Sequence, residues 1–296
     1  MPQRKEFWQV DAFTTERYCG NPAAVVFEAT GLSGEQMQTI AGEMNLSETV
    51  FVLPAEHAQA DYKVRIFTPR NELPFAGHPT LATAHAMTAR GLRPKQPGLI
   101  RQECGIGLIP VEVVPVPGGH SFTMTQAPPT HRAVAVDAAL AARMLGCASG
   151  DVAEQPVEVA STGVDWMIVP LRRLDTVAAL APDLRLIEQV CREHKAAGIT
   201  SFCPGATTPG CSYRLRTFAP GDGILEDPVC GSGNGSVAAY IARHLTPGGS
   251  FRYRAEQGIE IRRPGTVEIE VQRESDAMRV RVGGRAVTVI EGWLTA

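Results

Sequence analysis

Apolar and polar residues alternate through FWQVDAF (7–13), and AAVVF (23–27) is a short continuous apolar run. Both read as strands, joined by a turn at Cys19-Gly20-Asn21-Pro22. The period then changes. Ser33 stands as a helix N-cap with Gln36 three residues on, and Met37, Ile40, Ala41 and Met44 share one face, so a helix runs to about Asn45. SETVFVL (47–53) and Tyr62–Phe67 return to strand, and Gly77-His78-Pro79 leads into a small-residue apolar helix over 79–90, where Pro79 suits the first turn. Residues 99–126 hold short β runs and PPTH (128–131) reads as a linker. The second half predicts a helix around 137–146, strands near 157–171, a helix near 183–197 and strands to 218. VAAYIARHL then follows a glycine-rich stretch, and the tail 251–292 is strand-rich, with a hairpin turn at Gly283-Gly284.

The pattern occurs twice, in the same order. STGVDWMIVPL (161–171) parallels CGNPAAVVF (19–27), and GITSFCP (198–204) parallels LSETVFVLP (46–54). YRLRTFAP (213–220) parallels YKVRIFTP (62–69), and CGSGNGSVAAY (230–240) parallels AGHPTLATAHA (76–86). The reading is two homologous β-rich domains, 1–127 and 128–296, the last strand free to return to the first. Each holds an apolar helix, and a helix apolar on all sides is one enclosed by other structure. Aligned on Val50-Phe51 and Ser201-Phe202, Glu48 faces Ile199; aligned on the glycines, Ala76 faces Cys230 and His78 faces Ser232.

Those differences carry the candidate chemistry. In EDPVCGSGNGS (226–236) an acid, a thiol and a hydroxyl lie among glycines that open a helix, where free backbone N–H groups suit an anion. Ser232 with the N–H groups of Gly231 and Gly233 either caps the helix or holds a carboxylate; Gly77 belongs to the matching motif. Asp227 reads as a turn residue before Pro228 or as the partner of a substrate amine or hydroxyl. Cys230 reads as a remnant beside the site or as a second proton donor, its thiol pKa depressed by the helix N-terminus. Glu48 reads as a loop or capping acid, or as an acid/base; His78 as a structural imidazole, or as the group that tunes Glu48. Asn21 is a turn residue or a secondary contact to the site. Two such motifs facing one another across an interdomain cleft would make one site with unlike walls.

Composition narrows the classes. The 296 residues are 44% hydrophobic and 20% charged with net charge −3, which gives no electrostatic case for nucleic acid or an anionic membrane. No stretch approaches the ~20 apolar residues of a membrane span, and no leader pattern opens the chain, so a cytoplasmic protein is expected. The seven cysteines are scattered without a CxxC, which argues against a disulfide framework or a zinc site. The glycines at 231, 233 and 235 are not a dinucleotide fingerprint, because no βαβ pattern surrounds them.

NLSETVF (45–51), RIFTPRNELPFAGHPT (65–80), STGVDWMIVPL, EDPVCGSGNG and AEQG (255–258) resemble the PhzF-like family of the diaminopimelate-epimerase-like fold, over essentially the whole chain. The resemblance implies an α+β chain of two pseudosymmetric β-barrel-like domains, each around a central helix, with the active site in the interdomain cleft. It also implies a cofactor-independent, metal-free isomerase, a small carboxylate substrate and a homodimer. In the epimerases of this fold two cysteines act on opposite faces of a carbon; here the first is Ala76. The phenazine enzyme shuttles a proton with one glutamate, which Glu48 matches; His78, Asp227 and Ser232 match its neighbours. Cys230 and the following GNGS depart from that enzyme's pattern. Two other readings stand beside this one: an amino-acid racemase using Glu48 and Cys230, and a ligand-binding protein of the same fold without turnover.

Overall fold

The computed structural model describes residues 4–274 and 277–296. In chain order the first elements are β1 (Arg4–Ala12), β2 (Asn21–Val26), α1 (Gly34–Met44), β3 (Glu48–Leu53), β4 (Tyr62–Phe67), β5 (Glu72–Leu73), α2 (Gly77–Ala89), β6 (Leu99–Cys104), β7 (Gly107–Val116) and β8 (Gly119–Thr125). Then come β9 (Thr130–Ala133), α3 (Ala138–Leu145), β10 (Glu158–Ser161), β11 (Asp165–Pro170), α4 (Leu174–Ala178), α5 (Leu184–Glu193), β12 (Gly198–Pro204), β13 (Tyr213–Ala219) and β14 (Ile224–Asp227). The chain finishes with α6 (Gly231–His244), β15 (Phe251–Gln257), β16 (Gly265–Glu274), β17 (Ala277–Gly284) and β18 (Ala286–Thr295).

Two compact units result: one runs to Met124 and takes back Gly283–Ala296, the other is Thr125–Val282. Their internal wiring is the same. In the first, β1 and β2 are antiparallel, β2 and β3 parallel, β3 and β4 antiparallel, and β4 and β6 parallel. In the second, β10–β11, β11–β12, β12–β13 and β13–β15 repeat that alternation. Parallel neighbours need a crossover, and α1 and α5 supply it in their respective units. α1 forms where its cap predicts: Ser33 accepts from the Gln36 N–H at 3.2 Å and the Gln36 side chain returns to the Ser33 N–H at 2.9 Å.

α2 and α6 are the two enclosed helices. His78 to Ala84 and Ala86 are buried in α2, and every residue from Gly231 to Ala242 in α6 is buried except Ser232. The hydroxyls of Thr80, Thr83 and Thr88 bond back to the carbonyls of Ala76, Pro79 and Ala84 at 2.7–2.8 Å, so the enclosed polar side chains are satisfied within the helix itself. Around α6 the apolar partners are Ala160, Trp166, Ile168, Phe202 and Leu215, with Val237, Tyr240 and Ile241 from the helix; the Tyr240 hydroxyl donates to the Pro156 carbonyl at 2.7 Å.

Three sequence expectations change. PPTH is not a plain linker, because Thr130–Ala133 pairs with β10. Gly283 and Gly284 continue β17, and β18 pairs along its length with β1, so the expected hairpin is replaced by a return of the chain to the first unit. Both glycine motifs lie within their helices: α2 begins at Gly77 rather than Pro79, and Gly231, Gly233 and Gly235 form the first turns of α6.

Candidate active site

In the first unit, β3 opens on Glu48 and α2 places His78 at its second position, both 7% exposed. Glu48 Oε2 lies 3.2 Å from His78 Nε2, within ion-pair distance but not aligned as a hydrogen bond. Burial drives the His78 pKa down to about 3, against the opposing effect of a hydrogen bond to the Pro22 backbone. Pro22 has no N–H, so its carbonyl is the acceptor, and Nδ1 is the ring nitrogen left to donate. The imidazole is therefore neutral, with a lone pair on Nε2 facing the carboxyl. The ring thus turns an acceptor, not a charge, toward Glu48.

Around this pair the backbone is tightly built. Gly20, at φ +62°, lies where a Cβ would stand 2.2 Å from the Ala12 carbonyl oxygen, so only glycine fits the turn before β2. Asn21 follows it as the first residue of β2 rather than part of the turn, wholly buried and paired with Ala12. Gly77 is half-buried, and a side chain there would meet Met124 Cε at 3.1 Å.

In the second unit, Asp227 ends β14 at 9% exposure, and its Oδ1 accepts from the Val229 N–H at 3.1 Å. Cys230, not Ser232, caps α6: its Sγ accepts from the Gly233 N–H at 3.3 Å. Burial, then the negative charge of Asp227, push the Cys230 thiol well above its usual range. The depression expected from the helix N-terminus is outweighed by the loss of water around the thiol. Ser232 is half-buried and accepts the indole N–H of Trp166 at 3.0 Å. Gly233 is required by approach rather than by φ, since a Cβ there would stand 2.8 Å from Thr200 Oγ1.

Two residues without a role in the sequence reading hold this turn together. Gln257, 1% exposed at the end of β15, accepts from the Cys230 N–H at 3.3 Å and from Asn234 Nδ2 at 2.9 Å, and donates to the Asp227 carbonyl at 2.9 Å. Asn234 Nδ2 also reaches the Cys230 carbonyl at 2.9 Å. The AEQG motif was visible in the sequence, but pattern alone does not tell a buried amide clamp from a solvated glutamine. Among the described residues no group of three or more His, Cys, Asp or Glu is arranged to hold a metal ion.

Strand register corrects the alignment of the two halves. Tyr62 and Tyr213 are equivalent, each the first residue paired with the parallel neighbour, and this makes Lys63 equivalent to Arg214. Lys63 pairs with Leu53 and Arg214 with Cys203, so five residues back Glu48 corresponds to Gly198, not to Ile199. The parallel pairs agree: Ala23 lies opposite Glu48 and Trp166 opposite Gly198. The same register places the Arg65–Glu72 and Arg216–Glu226 bidentate pairs in equivalent positions, with hydrogen bonds of 2.7 and 2.8 Å. It also equates ELPFAG with EDPVCG. One unit thus carries Glu48, Leu73, Ala76 and His78 where the other carries Gly198, Asp227, Cys230 and Ser232.

Residues 10–292 match the model of the phenazine biosynthesis-like protein family, PhzC-PhzF. The chain is 37% identical over 285 residues to a trans-2,3-dihydro-3-hydroxyanthranilate isomerase of Pseudomonas chlororaphis, covering 96% of each chain. It is 30% identical to an uncharacterized isomerase of Clostridium acetobutylicum, covering 99% of each. A solved PhzF-family protein of Bacillus anthracis superimposes with a TM-score of 0.92 at 30% identity, covering 99% of each chain. A hydroxyproline epimerase of Agrobacterium vitis, 15% identical with a TM-score of 0.65 over 99% of this chain and 92% of that one, shares the fold alone. The architecture is the diaminopimelate-epimerase-like one that the sequence resemblance implied. The chain is an isomerase that belongs to the phenazine biosynthesis-like family.

Proposed function

We propose that this isomerase moves a proton between two carbons of a small cyclic carboxylate, with Glu48 as the single acid/base, and that trans-2,3-dihydro-3-hydroxyanthranilate is its substrate. The name of the 37%-identical relative supports the substrate. The observation that carries the mechanism is the buried Glu48–His78 pair at 3.2 Å, whose equivalent position in the other unit is a glycine. Glu48 takes hydrogen from one carbon as that C–H bond breaks, and the same carboxyl returns it as a C–H bond forms on another. The hydrogen stays on Glu48 between the two steps, and His78, neutral, offers its Nε2 lone pair toward the protonated carboxyl. Asp227 takes the substrate amine or hydroxyl; Ser232 and the N–H groups of Gly231 and Gly233 take the carboxylate.

A racemase with Glu48 and Cys230 as paired groups is disfavoured, because burial holds the Cys230 thiol well above its usual range and so hinders it as the base that the reverse direction requires. The test is incubation in D2O with trans-2,3-dihydro-3-hydroxyanthranilate and, separately, with D- and L-amino acids, read by NMR. Conversion of the dihydroanthranilate with no inversion of any amino acid is expected. Inversion of an amino acid, lost in Cys230→Ala, would overturn the single-base reading.

A further inference from the structure

At the one position where the first unit places its acid, the second is built in the opposite way. Glu48 in β3 approaches the second residue of α2, His78, and its strand neighbour across the parallel pairing is the small Ala23. Gly198 in β12 has no side chain, and its neighbour Trp166 approaches the second residue of α6, Ser232, at 3.0 Å. Gly198 and Trp166 require each other: a Cβ on Gly198 would stand 2.9 Å from Trp166 Cζ3 and 2.2 Å from the Phe218 carbonyl oxygen. The indole fills the space left by the missing side chain and presents a polar atom to the equivalent helix position.

We propose that Trp166 is a positioning residue of the active site, its indole N–H fixing the Ser232 hydroxyl so that the hydroxyl hydrogen is presented to the substrate's acid group. The inference rests on the reading of Ser232 as a substrate-holding residue. An indole nitrogen only donates, so Ser232 Oγ is the acceptor and its own hydrogen remains to be given. The other neighbour is Cys230 Sγ, at 3.6 Å, and a thiol sulfur is a weak acceptor that a carboxylate displaces. Trp166 is 5% exposed and Ser232 is half-buried, so a solute reaches the hydroxyl and feels the indole only through it. Unlike Glu48, the indole does not titrate. At this helix position the second unit then offers a donor, where the first offers the Glu48–His78 pair.

The chain has three tryptophans, so a spectrum of 15N-labelled indole groups has three signals, and Trp166→Phe identifies the one of interest. The probe is anthranilate, the aromatic skeleton in the name of the Pseudomonas chlororaphis relative's substrate. Ser232→Ala is expected to move the Trp166 signal without ligand. Anthranilate is expected to move it in the wild type and to leave it still in Ser232→Ala. Trp166→Phe should weaken anthranilate about five- to twentyfold, as the Ser232 bond to the carboxylate loses its fixed geometry, and the double variant should bind no worse than Ser232→Ala. A Trp166 signal indifferent to Ser232→Ala, or indifferent to anthranilate in the wild type, would overturn the proposal, as would additive losses in the double variant. If Trp166→Phe fails to fold, Trp8→Phe and Trp293→Phe assign the other two signals, and the spectra of the wild type and Ser232→Ala then decide. Trp166-dependent anthranilate binding with no proton exchange on any substrate would leave this proposal standing and sink the isomerisation reading.

Discussion

Burial sets how His78 answers to acid. Burial holds His78 neutral, with a folded pKa of about 3 against 6.5 in the unfolded chain, so between those values the unfolded state binds more protons. The contribution is complete above pH 6.5 and is lost as pH falls toward 3. His85, bonded to Thr288 at 3.1 Å and lowered to about 4, adds a loss of the same sign. Urea unfolding is therefore expected to show stability falling below pH 6.5, with His78 contributing up to about 1.4 kcal/mol per pH unit, and His78→Asn is expected to flatten the decline. An unchanged slope in that variant would place the acid sensitivity elsewhere. Cys230 gives a second residue-level prediction. Its thiol is buried and held protonated, so iodoacetamide at pH 7.5 should label the partly exposed Cys19, Cys147 and Cys211 and spare Cys230 in the folded protein. Prompt labelling of Cys230 would contradict its burial.

The N-terminal turn of α6 depends on an amide at the far end of the next element, β15. Gln257→Leu keeps the volume and removes the partners of the Cys230 N–H and the Asp227 carbonyl, both buried groups. Leaving such groups unpaired costs about 1–3 kcal/mol each, so a loss of about 2–4 kcal/mol in urea unfolding is expected, larger than for an ordinary surface change. A loss under 1 kcal/mol would mean that the turn holds its shape without the clamp. Element by element, the sequence was informative where a local pattern repeats: the Ser33–Gln36 cap, the enclosed helices and the strands flanking them. It was less so where the answer lay in pairing. Glu48 was matched to Ile199 because Phe51 and Phe202 look alike, whereas the hydrogen-bonded ladder matches it to Gly198. Trp166 was quoted within a motif, yet only the parallel register shows that its ring stands beside an empty glycine.

At the scale of the whole chain, two units with one wiring carry unlike chemical groups, and the family match extends from residue 10 to 292. The repeat, the enclosed helices and the candidate residues were all legible before any coordinates, because small residues and glycines leave a strong trace at fixed spacing. The last strand is read as free to return to the first unit and β18 does pair with β1, whereas the hairpin reading of Gly283-Gly284 fails because two adjacent glycines signal a turn whether or not the chain takes one. The centre of the proposal is that unlike groups at equivalent positions do unlike work: Glu48 carries the proton, and Ser232 with the N–H groups of Gly231 and Gly233 holds an acid group. The most direct measurement is deuterium incorporation from D2O into trans-2,3-dihydro-3-hydroxyanthranilate by the wild type and Glu48→Gln. Solvent deuterium at the newly formed C–H bond is expected in the wild type to the extent that the Glu48 carboxyl exchanges its hydrogen with water before returning it. In the folded variant kcat should fall by about 10²–10⁴, with KM within a few-fold. Exchange by Glu48→Gln at the wild-type rate would contradict the account.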